Sequence, residues 1–149
     1  MLPKDFHPKL PPAPSSTFKI LADGGSRGNP GPAAAGAVLF NPQRQIVATT
    51  KKFLGYGTNN QAEYMGVWLG LALAQRQAVQ HLEIFLDSKL VVEQLKGNYK
   101  IKNSKLRELA QQVRQKLATF SSYRLQHIPR AQNSLADFLV NEALDAATL

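Results

Sequence analysis

The sequence predicts an α/β fold, a single mixed sheet of five strands with helices covering both faces. Three observations lead there. Three apolar runs near the start are joined by connections too short for a crossover, which makes their strands antiparallel neighbours. Helix-periodic stretches then alternate with single short apolar runs, the order of a sheet extended by parallel strands. At 149 residues with no cysteine, the chain is long enough to bury a core without disulfide staples.

The first strand is Phe18 to Asp23 (FKILAD), a buried-type run ending in a carboxylate and followed at once by GGSRGNPG. Gly24 to Pro32 is a turn-rich connection, and Ala33 to Phe40 is the second strand. Asn41 to Arg44 turn the chain into a third, Ile46 to Phe53. Gly55 and Gly57 break the pattern. From Asn60, Ala62, Met65, Leu69, Ala72 and Leu73 recur at helical spacing to about Gln77.

Leu82 to Leu86 is the fourth strand, reached through a helix and therefore parallel to the first. Leu90, Val91, Gln94 and Leu95 mark a short helix that stops at Gly97. Leu106, Leu109, Ala110, Val113, Leu117 and Phe120 form the stripe of a third. Tyr123 to His127 is the last strand, Ile128 to Asn133 a loop, and Ser134 starts a final helix to about Ala146.

Residues 1–16 carry five of the nine prolines and no apolar pattern, so they read as a flexible leader, with 17–149 as one domain. A partner-binding PxxP segment is the alternative use of the leader. The uncharged stretch from Tyr64 to Gln75 is too short for a bilayer, which needs about 20 apolar residues. No signal peptide is visible, so the expectation is a soluble, cytoplasmic protein with no membrane partner. Eighteen Lys and Arg against ten Asp and Glu give a net charge of +8, a bias towards polyanions such as nucleic acid.

The minority carboxylates are the informative ones. Asp23 and Asp87 follow strands expected to be parallel neighbours, so both emerge at one edge of the sheet. Glu63 is expected in the first turn of the first helix and Asp137 in the first turn of the last. Singly, each has a structural reading: an Asx turn at Asp23, capping boxes at Asn60–Glu63 and Ser134–Asp137, an N-cap at Asp87. Jointly they converge on one pocket, where their mutual repulsion requires cations. With oxygen donors only, the ion is Mg²⁺ or Mn²⁺ rather than zinc. Two such ions about 3.5–4 Å apart clamp a phosphate between attacking and leaving oxygens.

Four strings in order, DGGSRGNPG, TNNQAEY, LDSKLVVEQLKG and HIPRAQNSLADFLVNEALD, resemble the ribonuclease H type 1 family over Phe18 to Asp145. The resemblance implies the RNase H-like fold. It also implies hydrolysis of the RNA strand of RNA–DNA hybrids with two Mg²⁺ ions (Mn²⁺ substituting), leaving 3′-hydroxyl and 5′-phosphate ends. By the same resemblance Asp23 is shared by both metals, Glu63 and Asp87 lie on the leaving-group side, and Asp137 holds the nucleophile-side metal. His127, ten residues before Asp137, corresponds to a mobile loop histidine assisting proton movement or product release.

Choosing RNA requires contacts to 2′-hydroxyls in a shallow minor groove. Asn29, Asn59 and Asn60 resemble the RNA-contacting positions, and Gly24, Gly25 and Ser26 allow close backbone approach. Thr58 resembles part of a pocket that grips a DNA phosphate; Tyr56 stands where some members have arginine, so the expectation is either a weaker grip or one supplied by Asn103. Lys96, Lys100, Lys102, Lys105, Arg107, Arg114 and Lys116, with Tyr99 among them, form either a duplex-docking surface led by Lys100 and Lys102 or a solvated face.

The main reading is a monomeric hybrid-specific endoribonuclease. The alternatives are a catalytically silent hybrid-binding module, which would have lost an acid, and another nuclease of the same superfold, such as a resolvase or transposase core. Related exonucleases carry a second acid two residues after the first, where this chain has Gly25.

Overall fold

The structure is a computed structural model in which residues 16–147 are described. The proline-rich leader lies outside them, apart from its last residue. Five strands, β1 (Thr17–Ser26), β2 (Gly31–Phe40), β3 (Ile46–Gly57), β4 (His81–Leu86) and β5 (Ser122–His127), form one sheet in the order β3-β2-β1-β4-β5. β1 to β3 are antiparallel in succession, while β4 and β5 run parallel to β1. The mixed sheet expected from the connection lengths is therefore the one observed.

β1 and β2 continue past the apolar runs that define them in the sequence. Pairing goes on through Asp23↔Gly36, Gly24↔Ala35 and Ser26↔Ala33, so Asp23 lies within β1 rather than at its end. Residues 24 to 26 belong to the hairpin, not to a turn. A glycine-rich segment has no side chains to show alternation, which hides this strand from a hydrophobic pattern. β3 likewise runs to Gly57, four residues beyond Phe53.

Helix α1 (Asn59–Arg76) begins one residue before its first expected position, because Thr58 caps it: its hydroxyl accepts from Gln61 N while the Gln61 side chain accepts from Thr58 N. This reciprocal box uses neither Asn60 nor Glu63. Helix α2 (Lys89–Lys96) is capped by Ser88, not Asp87, and ends at Gly97, whose φ of 85° is the left-handed conformation glycine adopts readily. Helix α3 (Ser104–Leu117) is capped by the Asn103 side chain and stops before Phe120, which is buried beyond its end. Helix α4 (Ser134–Ala147) closes the described chain.

Core packing occupies both faces of the sheet. On one side Ile20, Ala22, Leu39, Ile84 and Leu86 pack against Tyr64, Val67 and Leu71 of α1 and against Val91, Ala110, Val113 and Leu117 of α2 and α3. On the other, Leu21, Val38, Phe40 and Phe85 meet Ala136 of α4, with Leu135 and Leu139 beside it. β2, covered on both faces, is apolar throughout, as a strand without a solvent face must be.

Where β1 meets α1 the two backbones touch. A Cβ on Gly24 would strike the backbone of Ala62 and Glu63, and one on Gly66 would strike the backbone of Asp23. Two glycines thus press the helix onto the strand and deliver Glu63 to the level of Asp23. Among the described residues, no helix is long and apolar enough to cross a membrane.

Candidate active site

The parallel pairing of β1 with β4 stops at Leu21↔Phe85. Two residues further along stand Asp23, still within β1, and Asp87, just past the end of β4, which the register places opposite each other on the α4 side of the sheet. Glu63 comes down from the second turn of α1, one turn later than expected, because the helix starts at Asn59. Carboxylate oxygens of Asp23, Glu63 and Asp87 lie within 4.8 Å of one another.

Three acids at that separation cannot all be charged without a cation. Burial pushes the Asp23 carboxyl up to about 8, with Asp87, then Asp137 and Glu63, adding repulsion against a backbone hydrogen bond at Gly24. Burial raises Glu63 to about 7; the Ser88 hydroxyl and the Arg130 charge oppose the rise, and Asp87 adds to it. The donors are all hard oxygens, which suits a small divalent ion. Asp137, in the first turn of α4, is not within this triad, yet it lines the same open cleft of about 340 Å³.

In and behind the cleft wall stand residues that the sequence reading did not single out. Asn133 is fully buried and donates through Nδ2 to Ala22 O at 2.9 Å and to Asp87 Oδ2 at 3.0 Å, tying the start of α4 to the middle of β1 and to the residue that follows β4. Asn141 donates to the Asp137 carbonyl at 3.1 Å and faces its carboxylate at 3.4 Å. Arg27 lines the cleft while paired with Asp145 at 2.6 Å. Arg130 lines it from the 3₁₀ turn Arg130–Gln132. Asn133, Arg130 and Asn141 all lie in the HIPRAQNSLADFLVNEALD string, whose carboxylate and histidine drew attention away from them.

Of the expected substrate contacts, Gly24, Gly25, Ser26 and Asn59 line the carboxylate cleft. Asn59 Oδ1 accepts from Ser26 N at 2.8 Å and from Ser26 Oγ at 3.1 Å, so this side chain also fixes the end of β1 against α1. Asn29, whose Oδ1 accepts from Asn59 N, joins Thr58, Asn60 and Asn103 around a second cleft of about 290 Å³. There the capped N-termini of α1 and α3 meet, an arrangement that favours an anion. Tyr56 is exposed and is not among the residues lining either cleft.

The structure leaves other expected residues apart. His127 is the last residue of β5, exposed and paired in register with Leu86, and it does not line the carboxylate cleft. Lys100 and Lys102 are exposed on the connection between α2 and α3 and are not among the residues lining either cleft. Within the same basic stretch, Arg107 donates to the carbonyls of Ile101 and Lys102, and Arg114 to that of Gln94. Lys116 binds Gln75 and lies 4.4 Å from the Trp68 ring centre. Three of the seven cations therefore have structural partners.

A family model described as reverse transcriptase-like matches residues 21–143. Ribonuclease HI of Halobacterium salinarum is 39% identical over 145 residues, covering 97% of this chain and 73% of that protein. The chain belongs to the ribonuclease HI family. The bifunctional protein Rv2228c of Mycobacterium tuberculosis is 43% identical over 129 residues. The match takes in 86% of this chain and only 35% of that longer protein. The solved structure of LC11-RNase H1 in complex with an RNA/DNA hybrid superposes with a TM-score of 0.84 at 34% identity, covering 89% of this chain and 99% of that one. The ribonuclease HI fold accounts for the strand order and for the meeting of β1, α1 and β4 at the acids.

Proposed function

We propose that this protein is an endoribonuclease that hydrolyses the RNA strand of RNA–DNA hybrids. The observation that carries the reading is the triad of Asp23, Glu63 and Asp87, held within 4.8 Å on three separate elements beside a cleft that Asp137 also lines. A silent binding module has no need of such a cluster, whose assembly raises the cost of charging each acid. Family membership and the hybrid-bound relative support the substrate class.

The chain's own residues perform the preparatory work. Asp23, Glu63 and Asp87 supply the oxygen donors for divalent ions, with Asp137 facing the same cleft, and Asn133 and Ser88 orient Asp87 and Glu63. Mg²⁺ ions, or Mn²⁺ in their place, supply when bound the Lewis acidity that activates water and stabilises the departing oxygen. Loading an ion onto carboxyls that burial has pushed up releases protons, so occupancy rises with pH. Thr58 and Asn103, with Asn29 and Asn60 beside them, line the cleft best suited to a phosphate of the DNA strand, and Ser26 and Asn59 line the carboxylate cleft, where the RNA strand would lie. A cytoplasmic monomer completes this reading, consistent with a chain free of cysteine.

The test offers labelled RNA–DNA hybrid, duplex DNA and duplex RNA to the purified protein with Mg²⁺, Mn²⁺ or EDTA. Cleavage confined to the hybrid and abolished by EDTA is expected. Cleavage of duplex DNA in preference to hybrid would move the protein to the resolvase-like class.

A further inference from the structure

The four acids of the cleft are not held alike. Asp87 receives a hydrogen bond from Asn133, Glu63 one from the Ser88 hydroxyl and Asp23 one from the backbone at Gly24. Asp137 stands outside the triad. Among the described residues the one group that donates to its carboxylate is Asn141, a helical turn further along α4, with Nδ2 3.4 Å from Oδ2. The same Nδ2 donates to the Asp137 carbonyl at 3.1 Å, which ties the amide to the turn that carries the acid.

Asn141 is itself met from another element. Asp137, Asn141 and Asp145 are spaced by four residues, so they stack along one stripe of α4. Arg27 reaches that stripe from the β1–β2 connection, its Nη2 2.6 Å from Asp145 Oδ1 and 3.4 Å from Asn141 Oδ1. The arginine's backbone is fixed. Arg27 N donates to Pro32 O at 2.8 Å, Gly28 turns the chain with a φ of 89°, and a Cβ on Gly31 would strike the Arg27 carbonyl.

These neighbours leave the Asn141 amide one orientation. A guanidinium only donates and an ionised carboxylate only accepts, so an amide between them turns its oxygen to Arg27 and its NH₂ to Asp137. Without Arg27, nothing at the far end opposes a flipped amide, which would set oxygen against the carboxylate. Arg27 and Asp145 are 42% and 70% exposed, and an ion pair that open contributes little to stability. What it supplies is direction. On the reading above, in which Asp137 faces a divalent ion, we propose that Asn141 is a positioning residue for the Asp137 carboxylate and that Arg27, anchored on Asp145, sets its orientation. Asp137 is then the acid whose aim depends on contact between the β1–β2 connection and the last helix.

The experiment compares Arg27→Ala, Asn141→Ala and the double variant with the parent in two ways. Hybrid cleavage is followed as Mn²⁺ is titrated, and in EDTA the NMR signal of the Asn141 side-chain amide, identified by its absence from Asn141→Ala, is recorded for the metal-free protein. Each single variant is expected to raise the Mn²⁺ concentration for half-maximal rate about fivefold, the size of one ordinary hydrogen bond. The double variant should raise it no further than Asn141→Ala does, because the two residues act in series. Arg27→Ala should also displace the Asn141 amide signal. Melting curves recorded alongside confirm that the variants fold. A parental Mn²⁺ requirement in Asn141→Ala, effects that multiply in the double variant, or an amide signal indifferent to Arg27 would each overturn the assignment, while cleavage by the parent leaves the hybrid reading intact. A parent that ignores the hybrid would overturn both.

Discussion

The same face of the same two strands carries two buried charge clusters, and they are resolved in different ways. Near the start of β1 and β4, Lys19 stands opposite Glu83; four residues on, Asp23 stands opposite Asp87. Lys19 and Glu83 are 1% and 3% exposed, with Nζ 3.6 Å from Oε1, and Arg124 approaches the other Glu83 oxygen at 3.9 Å. Burial lowers the Lys19 pKa and the Glu83 charge counters it, with Arg44 acting in the direction of burial. The lower pair finds its counter-charge within the protein. The upper pair is acid against acid with a third acid added, so its counter-charge must come from outside. Burial of charge is common to both ends; what distinguishes the functional end is that the charge is unmatched.

Substituting the equivalent position at each end breaks the comparison most directly. Asp87→Asn should lower hybrid cleavage by about a thousandfold while leaving the metal-free protein at least as stable, because it removes repulsion together with a metal donor. Rate measurement paired with chemical denaturation in EDTA checks both halves. Full activity in this variant would end the claim that the upper cluster serves chemistry.

Glu83→Gln, four residues earlier, should do the reverse. Neither Glu83 oxygen has a hydrogen bond among the described residues, so its role is ionic, and neutralising it leaves Lys19 buried without that counter-charge. A loss of about 3 kcal/mol in denaturant stability is expected, with turnover per folded molecule unchanged. Loss of turnover at full stability would make the two ends functionally alike.

The smallest effect sharpens the contrast through pH. Asp23 and Glu63, raised to about 8 and 7, keep protons in the folded state that the unfolded chain has already released. A raised folded pKa contributes stability that is complete below the unfolded pKa and is lost as pH climbs through the folded one. The metal-free protein should therefore lose stability between about pH 5 and pH 8, spread over coupled groups. Asp23→Asn should flatten that slope in denaturation curves recorded in EDTA. An identical slope in the variant would assign the titration elsewhere.

Most of the architecture was legible because the elements differ in period. Phe18 to Ala22 and Leu82 to Leu86 are short and apolar, while the α1 and α3 stripes repeat at helical spacing. The hidden parts were those whose signal is not hydrophobic. The extension of β1 through Gly24 and Gly25 has no alternation to read, and the Thr58–Gln61 box competes in sequence with the equally plausible Asn60–Glu63. At the site, the meeting of Asp23 with Asp87 followed from strand order, and that of Glu63 with them from its place near the start of the first helix. Asn133 could not follow, because its value depends on a carbonyl at Ala22, 111 residues away. Nor could the pairing of Arg27 with Asp145, 118 residues away on the last helix.

The rivet at Asn133 makes the timing of assembly part of the design. During synthesis the strands carrying Asp23 and Asp87 leave the ribosome long before the residue that bridges them, and the fork between β1 and β4 cannot be closed until that segment has emerged. A nascent chain therefore has the acids without the finished centre, which is complete only when the segment leading into the last helix has joined the sheet.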